Sequence, residues 1–199
     1  VIVSAIASAY AIEGIKVEKE RLLNLSLAYE SHPDNITPAV MGGFNVASVH
    51  ENEVKFITKS IPRTLRAVVV VPNRPISTTL SRKTLPYKYS KEDTIFNISH
   101  SSLLTAAFMS ENWEMLKYAS ADMVHQQFRM RHMPELFEVQ KTALKNGALM
   151  STLSGSGSTF FSVAYSEDSQ KLELALKEKF PHFRVMSVDF DNNGVKIEI

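Results

Sequence analysis

The sequence contains no cysteine among its 199 residues. This absence excludes disulfide bonds and thiolate metal sites, and it fits a reducing cytoplasm as the location of the protein. A large charge excess is also missing, because 22 basic and 21 acidic residues leave a formal net charge of +1. Since the basic residues are scattered along the chain, we expect neither nucleic acid nor a membrane surface as a partner.

The apolar start of the chain is too short to cross a bilayer. Residues 1–12 carry neither the basic flank nor the cleavage site of a secretory signal. We interpret them as a buried helix that Gly14 ends. The sequence has no internal repeat or low-complexity tract, and its 44% of hydrophobic residues can form the core of one domain or two small ones.

The densest group of chemically active side chains precedes the Gly42–Gly43 pair. Glu30, His32, Asp34 and Asn35 fall within six residues. A carboxylate at the end of a helix is disfavoured by the helix dipole unless a cation offsets it, and Mg²⁺, which takes one or two carboxylates plus substrate phosphates, is one such cation. The same segment is also typical of a polar loop in which Asp34 and Asn35 form turns.

Two prolines organise this segment. Pro33 fixes its own φ and disfavours helical geometry at His32, so we expect the preceding helix to stop at Tyr29 or Glu30. Pro38 and the Gly42–Gly43 pair then bracket a second short element.

Hydrophobic periodicity predicts an α+β sandwich in which strands and helices interleave. We place a domain boundary near residue 62, which gives domains 1–62 and 63–199, because a β-branched run typical of a buried strand follows it. The predicted helices are 1–12, 17–29, 77–85, 91–107, 113–130, 134–146 and one centred on Leu172 and Leu176. The predicted strands are 44–50, 54–58, 66–71, 148–153 and 159–165, with a last hairpin formed by 184–190 and 195–199.

Four motifs in order resemble the GHMP small-molecule kinases, and in particular their homoserine kinase branch. The first is the segment 30–43 described above. The second runs from residues 68–73 through 76–79 to Arg82 and Leu85–Pro86, and the third is His125, Arg129 and Pro134. The fourth is the Gly-Ser segment 153–159. The resemblance extends over essentially the whole chain, and four ordered motifs are far more specific than any one of them.

The resemblance implies a fold and a reaction. The fold is the remainder of a ribosomal-protein-S5-like N-terminal domain followed by a ferredoxin-like α/β sandwich. The reaction is transfer of the ATP γ-phosphate to the hydroxyl of L-homoserine, with Mg²⁺, as a step toward threonine. The resemblance is compatible with a homodimer.

The resemblance also implies roles for residues. Arg82 and Arg129 would hold the substrate carboxylate, for which a guanidinium fork is well matched. The other implied roles are Mg²⁺ binding by Glu30, substrate contact by His32, Ser154 and Gly155, orientation or deprotonation of the acceptor hydroxyl by Asp34 and Asn35, and support of the phosphate loop by Ser156 and Gly157.

Two features depart from the family pattern. The Gly-Leu-Gly-Ser-Ser loop that cradles the nucleotide phosphates in the family is not among these residues. Because phosphoryl transfer depends on dipoles and cations around the phosphates, we expect a C-terminal fragment, lacking roughly the first third, that is inactive or nearly so. Ser158 stands where the family usually has proline, so we expect a less rigid loop here.

Plainer interpretations stand beside these. The arginines can be surface residues, His32 an ordinary loop residue, the Gly-Ser segment a hairpin linker, and Ser77, Thr78 and Thr79 helix caps. Arg131 is close enough to Arg129 in sequence to confuse the assignment. A metal site built from histidines such as His125 or His132 is discounted, because no pair has a metal-binding helix spacing with an adjacent acid. Two other functions stay open: a related kinase, for example for mevalonate, and a non-catalytic module that binds an amino acid or serves as an interaction surface.

Overall fold

The computed structural model describes residues 1–74, 81 and 83–197. The chain divides into two compact units. Unit 1 is Val1–Pro62 together with the C-terminal segment that begins at Phe190, and unit 2 is Arg63–Asp189. No helix in the described ranges is both long enough and apolar enough to span a membrane.

Unit 1 packs three helices against a two-stranded antiparallel hairpin. Its core is aliphatic, with Leu22, Leu23 and Val40 fully buried. The hairpin is in register with Val46 opposite Ile57, and its predicted strands are confirmed. The elements are α1 (Ile2–Ile12), α2 (Lys19–Leu27), α3 (Pro33–Met41), β1 (Phe44–His50) and β2 (Glu53–Lys59).

The helix α3 begins earlier than predicted. It starts at Pro33, which lies at the first helical position, where its missing N–H and fixed φ are tolerated, and it continues through Pro38. The Thr37 hydroxyl donates to the Pro33 carbonyl at 2.6 Å, and the buried side chains of Ile36 and Val40 hold the helix across the second proline. The expectation of a separate element starting only at Pro38 is therefore wrong.

The predicted last hairpin is only half present. Its first strand is observed at Arg184–Val188, but residues 195–197, the described part of its second strand, form no strand. Instead the Val195 N–H donates to the Val40 carbonyl at 3.2 Å and the Gly43 N–H donates to the Asp191 carbonyl at 2.8 Å. Val195 and Ile197 pack against the core of unit 1. The segment thus finds its partners on α3 and belongs to unit 1, not to the unit that contains most of the predicted domain 63–199.

Unit 2 is a four-stranded antiparallel sheet with helices inserted between strands. The strands are β3 (Leu65–Val71), β4 (Met150–Leu153), β5 (Phe160–Tyr165) and β6 (Arg184–Val188), and the helices are α4 (Lys91–Ser110), α5 (Leu116–Ala119), α6 (Gln126–Met130), α7 (Glu135–Lys145) and α8 (Ser166–Lys179). The strand order is β4-β5-β3-β6, and the two halves are β3-helices-β4 and β5-α8-β6, which is the ferredoxin-like arrangement. This confirms the predicted α+β class.

One long helix of the prediction is broken in the structure. Instead of a single helix over 113–130, a 3-10 turn at Trp113–Met115 leads into α5, and a turn follows before α6 begins. The cause is Asp122, whose carboxylate accepts hydrogen bonds from the N–H groups of Val124, His125 and Gln126. A side chain that binds the backbone in this way competes with a continuous helix. Most of the predicted helix 77–85 lies outside the described residues.

Candidate active site

In unit 1, the candidate residues lie at the junction of α2 and α3. After α2 ends, the Glu30 N–H still donates to the Ser26 carbonyl at 3.0 Å. His32 then takes an extended conformation, with φ −103° and ψ 99°, as expected for the residue before a proline. The first turn of α3 follows and carries Asp34 and Asn35, both exposed.

Glu30 and His32 form a local hydrogen-bonded pair. One oxygen of Glu30, Oε1, accepts from the His32 ring Nδ1 at 2.7 Å and from the His32 backbone N–H at 3.1 Å. The partner that a carboxylate needs near a helix end is thus supplied within the segment. In the tautomer in which Nδ1 donates to Glu30, Nε2 is the acceptor nitrogen of the ring, which suits a substrate N–H or O–H.

A cavity of about 340 Å³ adjoins this segment within unit 1. Glu30 and Asn35 line it together with the start of α1 and residues Asp191 and Gly194. His32 and Asp34 are not among its lining residues. The structure therefore brings two of the four predicted side chains to one cavity and places the other two beside it.

The residues around Glu30 do not form a metal cage. In the described part of the chain, no group of three or more histidine, aspartate or glutamate side chains is close enough to share an ion. Mg²⁺ is usually held by one or two carboxylates while waters and substrate phosphates complete its shell. Glu30 fits Mg²⁺ in that limited sense, as a single carboxylate ligand at the edge of the cavity.

In unit 2, the candidate residues gather on the loop between β4 and β5. We call residues 154–158 the Gly-Ser loop. Gly155 and Gly157 adopt left-handed φ values of 57° and 84°, which glycine permits at low cost. The Ser156 carbonyl accepts from the buried Ser81 hydroxyl at 2.8 Å, and the Ser158 hydroxyl donates to the Arg74 carbonyl at 2.9 Å. Neighbouring segments therefore tie the loop at several points.

Arg129 is the predicted substrate arginine that the structure describes. It lies on α6, and its Nη1 donates to the Gly155 carbonyl at 2.8 Å. The structure thus joins the third and fourth sequence motifs. Arg131 is exposed, and its guanidinium lies over the Phe128 ring, 5.1 Å from the centroid. The two arginines therefore have different contacts: Arg129 contacts the Gly-Ser loop and Arg131 contacts an aromatic ring. Arg82 lies outside the described residues.

Three residues that the sequence analysis did not single out hold this region together. Asp122 caps the start of α6, and the Asn97 side chain donates to its Oδ1 at 2.7 Å. Gln126 Oε1 accepts from the Leu153 N–H at 3.1 Å, directly before the Gly-Ser loop. Asn97 and Asp122 are far apart in sequence, and no motif spacing could reveal their contact.

His125, at the start of α6, is expected to be neutral at pH 7. Burial lowers its pKa; the Asp122 carboxylate opposes this effect and the Arg129 guanidinium adds to it, and the net pKa lies below the usual value of 6.5. Because the His125 imidazole is neutral, the positive charge among Asp122, His125 and Arg129 is carried by the Arg129 guanidinium.

The chain is similar to known proteins in both fold and sequence. Residues 101–182 match the family model described as GHMP kinases C terminal. A crystal structure of homoserine kinase from Cytophaga hutchinsonii superposes with a TM-score of 0.85 over 94% of this chain and 62% of that chain, at 23% identity. This likeness shows the fold, and residues 101–182 mark the C-terminal domain as one of the GHMP kinase type.

Two relatives with much higher sequence identity identify the family within this class. The chain is 81% identical over all 199 residues to homoserine kinase of Aliarcobacter butzleri and 61% identical over 198 residues to that of Nitratiruptor sp.. The chain therefore belongs to the homoserine kinase family, and it spans 68% of the length of each of these two relatives. The family resemblance predicted from the motifs is confirmed, while the roles of individual residues stay predictions.

Proposed function

We propose that this chain is part of a cytoplasmic homoserine kinase, which transfers the γ-phosphate of ATP to the side-chain hydroxyl of L-homoserine on the way to threonine. The observation that carries the proposal is the 81% identity to a homoserine kinase along the whole chain. We also propose that the 199 residues alone have little or no kinase activity, because they contain no Gly-Leu-Gly-Ser-Ser phosphate loop.

Arg129 binds the carboxylate of homoserine in this proposal. A guanidinium has five donors in a planar fork, and the bond from its Nη1 to the Gly155 carbonyl fixes the direction of that fork. The Gly-Ser loop would then present Ser154 and Gly155 beside the bound substrate. Arg82 is proposed as a second carboxylate ligand on the strength of its motif.

By the motif they belong to, Glu30, His32, Asp34 and Asn35 are proposed to serve the acceptor hydroxyl and the metal ion. Asp34 orients the hydroxyl or accepts its proton, Asn35 hydrogen-bonds it, and His32 accepts a hydrogen bond through Nε2. Glu30 holds the His32 ring and would contribute one carboxylate to Mg²⁺. When bound, Mg²⁺ neutralises charge on the transferring phosphoryl group, and Ser156 and Gly157 support the loop that holds the nucleotide phosphates.

The test is ADP release with Mg-ATP and homoserine, measured for two proteins. One is the 199-residue chain, and the other is this chain joined to the part of the Aliarcobacter butzleri homoserine kinase that it does not span, called here the extended enzyme. We expect homoserine-dependent ADP release by the extended enzyme only. A substrate panel with mevalonate distinguishes homoserine kinase from a related kinase, and inactivity of the extended enzyme with homoserine would contradict the proposal.

A pair of variants tests the role of Arg129. In the extended enzyme, Arg129→Ala should raise the KM for homoserine by roughly 100-fold, since charge-assisted hydrogen bonds contribute about 1.5–3 kcal/mol each. The KM for ATP should change little. Arg131→Ala is the matched control, because that arginine lies on a phenylalanine ring instead of the loop. Equal effects of the two substitutions would remove Arg129 from the proposed site.

A further inference from the structure

We infer that Asn97, Asp122 and Gln126 are positioning residues that fix the Arg129 guanidinium against the Gly-Ser loop and thereby set the affinity for the homoserine carboxylate. This inference rests on the proposed function. It adds to the site three side chains that lie outside the motif residues and are not expected to touch substrate.

The first step is the anchoring of α6. This helix has only five residues, and a helix of that length is unstable without outside support. Asp122 supplies the support, since its side chain is only 7% exposed and its carboxylate accepts from the N–H groups of His125 and Gln126. The first turn of α6, and with it the direction of the helix, is set by this one carboxylate.

Asn97 fixes the carboxylate in turn. It lies on the 20-residue helix α4, and its side-chain amide makes two bonds to the turn before α6. The Nδ2 group donates to Asp122 Oδ1 at 2.7 Å, and Oδ1 accepts from the Met123 N–H at 2.8 Å. An amide that uses both its donor and its acceptor in this way holds the turn in one orientation.

Gln126 links α6 to the loop that Arg129 contacts. Gln126 and Arg129 are three residues apart and so share one face of the helix. Gln126 is buried and accepts from the Leu153 N–H, while Arg129 donates to the Gly155 carbonyl two residues further along. The helix and the loop are therefore joined at two points, and movement of either one would displace the guanidinium.

This arrangement matters because a guanidinium binds a carboxylate through two parallel hydrogen bonds only when its plane is correctly placed. A displacement of about 1 Å at such a site can cost up to 100-fold in rate or affinity. Rigid support by residues outside the site is thus part of substrate recognition.

The experiment compares two glutamines that each bind the backbone of β4. Gln126→Met removes the acceptor of the Leu153 N–H at nearly constant volume. Gln140→Met is the matched control, because Gln140 donates to the Ser151 carbonyl at 2.8 Å, on the same strand but away from the Gly-Ser loop. In the extended enzyme, we expect Gln126→Met to raise the KM for homoserine by roughly 10-fold, with the KM for ATP unchanged and with no such rise for Gln140→Met.

A double variant separates positioning from general damage. If Gln126 acts through Arg129, then Gln126→Met should add nothing to the homoserine KM once Arg129→Ala is present, because coupled residues are not additive. Equal effects of Gln126→Met with and without Arg129, or an equal effect of the control Gln140→Met, would overturn the inference.

Hydrogen exchange of the 199-residue chain gives a second readout that needs no activity. Gln126→Met should speed amide exchange in the Gly-Ser loop, whereas Gln140→Met should not. Unchanged exchange overturns the inference whatever the kinetics show. If the extended enzyme fails to phosphorylate homoserine while exchange in the loop still increases, the proposed function fails and the positioning of Arg129 by Gln126 is supported.

Discussion

At Asp122, four hydrogen bonds hold a charged carboxylate in a nearly buried position. Burial raises the pKa of this carboxyl, but hydrogen bonds from Asn97 and from the N–H groups of Gln126 and His125, with the attraction of His125, outweigh it. The net pKa lies below the usual value of 3.8. The ionised form is thus the one that the fold stabilises.

We therefore predict that Asp122→Ala destabilises the chain in a pH-dependent way. A carboxyl whose pKa is lower in the folded state stabilises that state above its unfolded pKa, and this contribution is lost as the pH falls through the folded pKa. At pH 7 the free energy of unfolding should fall by about 1–3 kcal/mol, because buried N–H groups lose their acceptor. Urea unfolding at pH 7 and below pH 3.8 measures the difference in unfolding free energy between the unsubstituted chain and Asp122→Ala. This difference should be smaller at the acidic pH.

Glu138→Ala is the control for this prediction. A hydrogen bond from Lys179 lowers the Glu138 pKa, with the charges of Lys179 and Lys141 adding to the effect. The Glu138 carboxylate, however, is exposed. Because exposed ion pairs contribute little to stability, Glu138→Ala should have a much smaller effect at both pH values. A deficit for Asp122→Ala that does not change with pH would show that the ionised form is not the important one.

Glu30 and Asp122 show which residue contacts a sequence can reveal. The sequence predicts that the Glu30 carboxylate, at the end of a helix, needs a partner such as a cation. The structure supplies one only two residues away, in the His32 ring. Asp122 meets Asn97 across 25 residues. Such a contact depends on how α4 and the turn before α6 are folded, which no local pattern specifies.

At the scale of elements, the end of α3 depends on two glycines that approach closely. The backbone of Gly194 adopts φ +63°, and a Cβ there would lie 2.6 Å from the Gly42 nitrogen and in contact with the Val40 carbonyl. The C-terminal segment can therefore pack on α3 only without a side chain at this position.

We predict that Gly194→Ala costs roughly 2–5 kcal/mol, as the sum of left-handed strain and overpacking. Gly14→Ala is a matched control, because Gly14 has a similar φ of +67° but nothing within 4 Å of its added Cβ. That variant should cost only the strain, about 1–2 kcal/mol. Thermal unfolding of both variants measures the difference, and equal costs would show that the contact with α3 is relaxed in solution.

The elements that could be predicted are those with local patterns. The hairpin of β1 and β2 has alternating residues around a short turn, and α7 has an apolar stripe ended by Gly147, whose φ is 96°. The predicted helix 113–130 failed because a single aspartate caps a new helix inside an otherwise helical pattern. The described part of the predicted strand 195–199, residues 195–197, forms no strand, because Val195 pairs with the backbone of α3 instead.

At the scale of the whole molecule, the chain builds most of unit 1, then unit 2, and returns to unit 1 at Phe190. The returning segment contributes Val195 and Ile197 to the core of unit 1, and its Asn192 side chain exchanges two hydrogen bonds with the backbone of Ile61. The core of unit 2 has its own set of buried residues, such as Val68, Leu136 and Phe160. A change at the C-terminus should therefore affect the unit that is far from it in sequence.

A chain that ends at Asp189 tests this expectation. Loss of the two apolar side chains that pack on the core of unit 1, Val195 and Ile197, and of several backbone hydrogen bonds should destabilise unit 1 by roughly 2–4 kcal/mol. Native-state hydrogen exchange should then show faster exchange in α2, α3 and the β1–β2 hairpin. The paired strands β3 and β5 serve as the internal reference and should keep their protection, since the core on which they lie loses no side chain. Equal loss of protection in both sets of strands would mean that the two units unfold as one and that the C-terminal segment stabilises the whole chain.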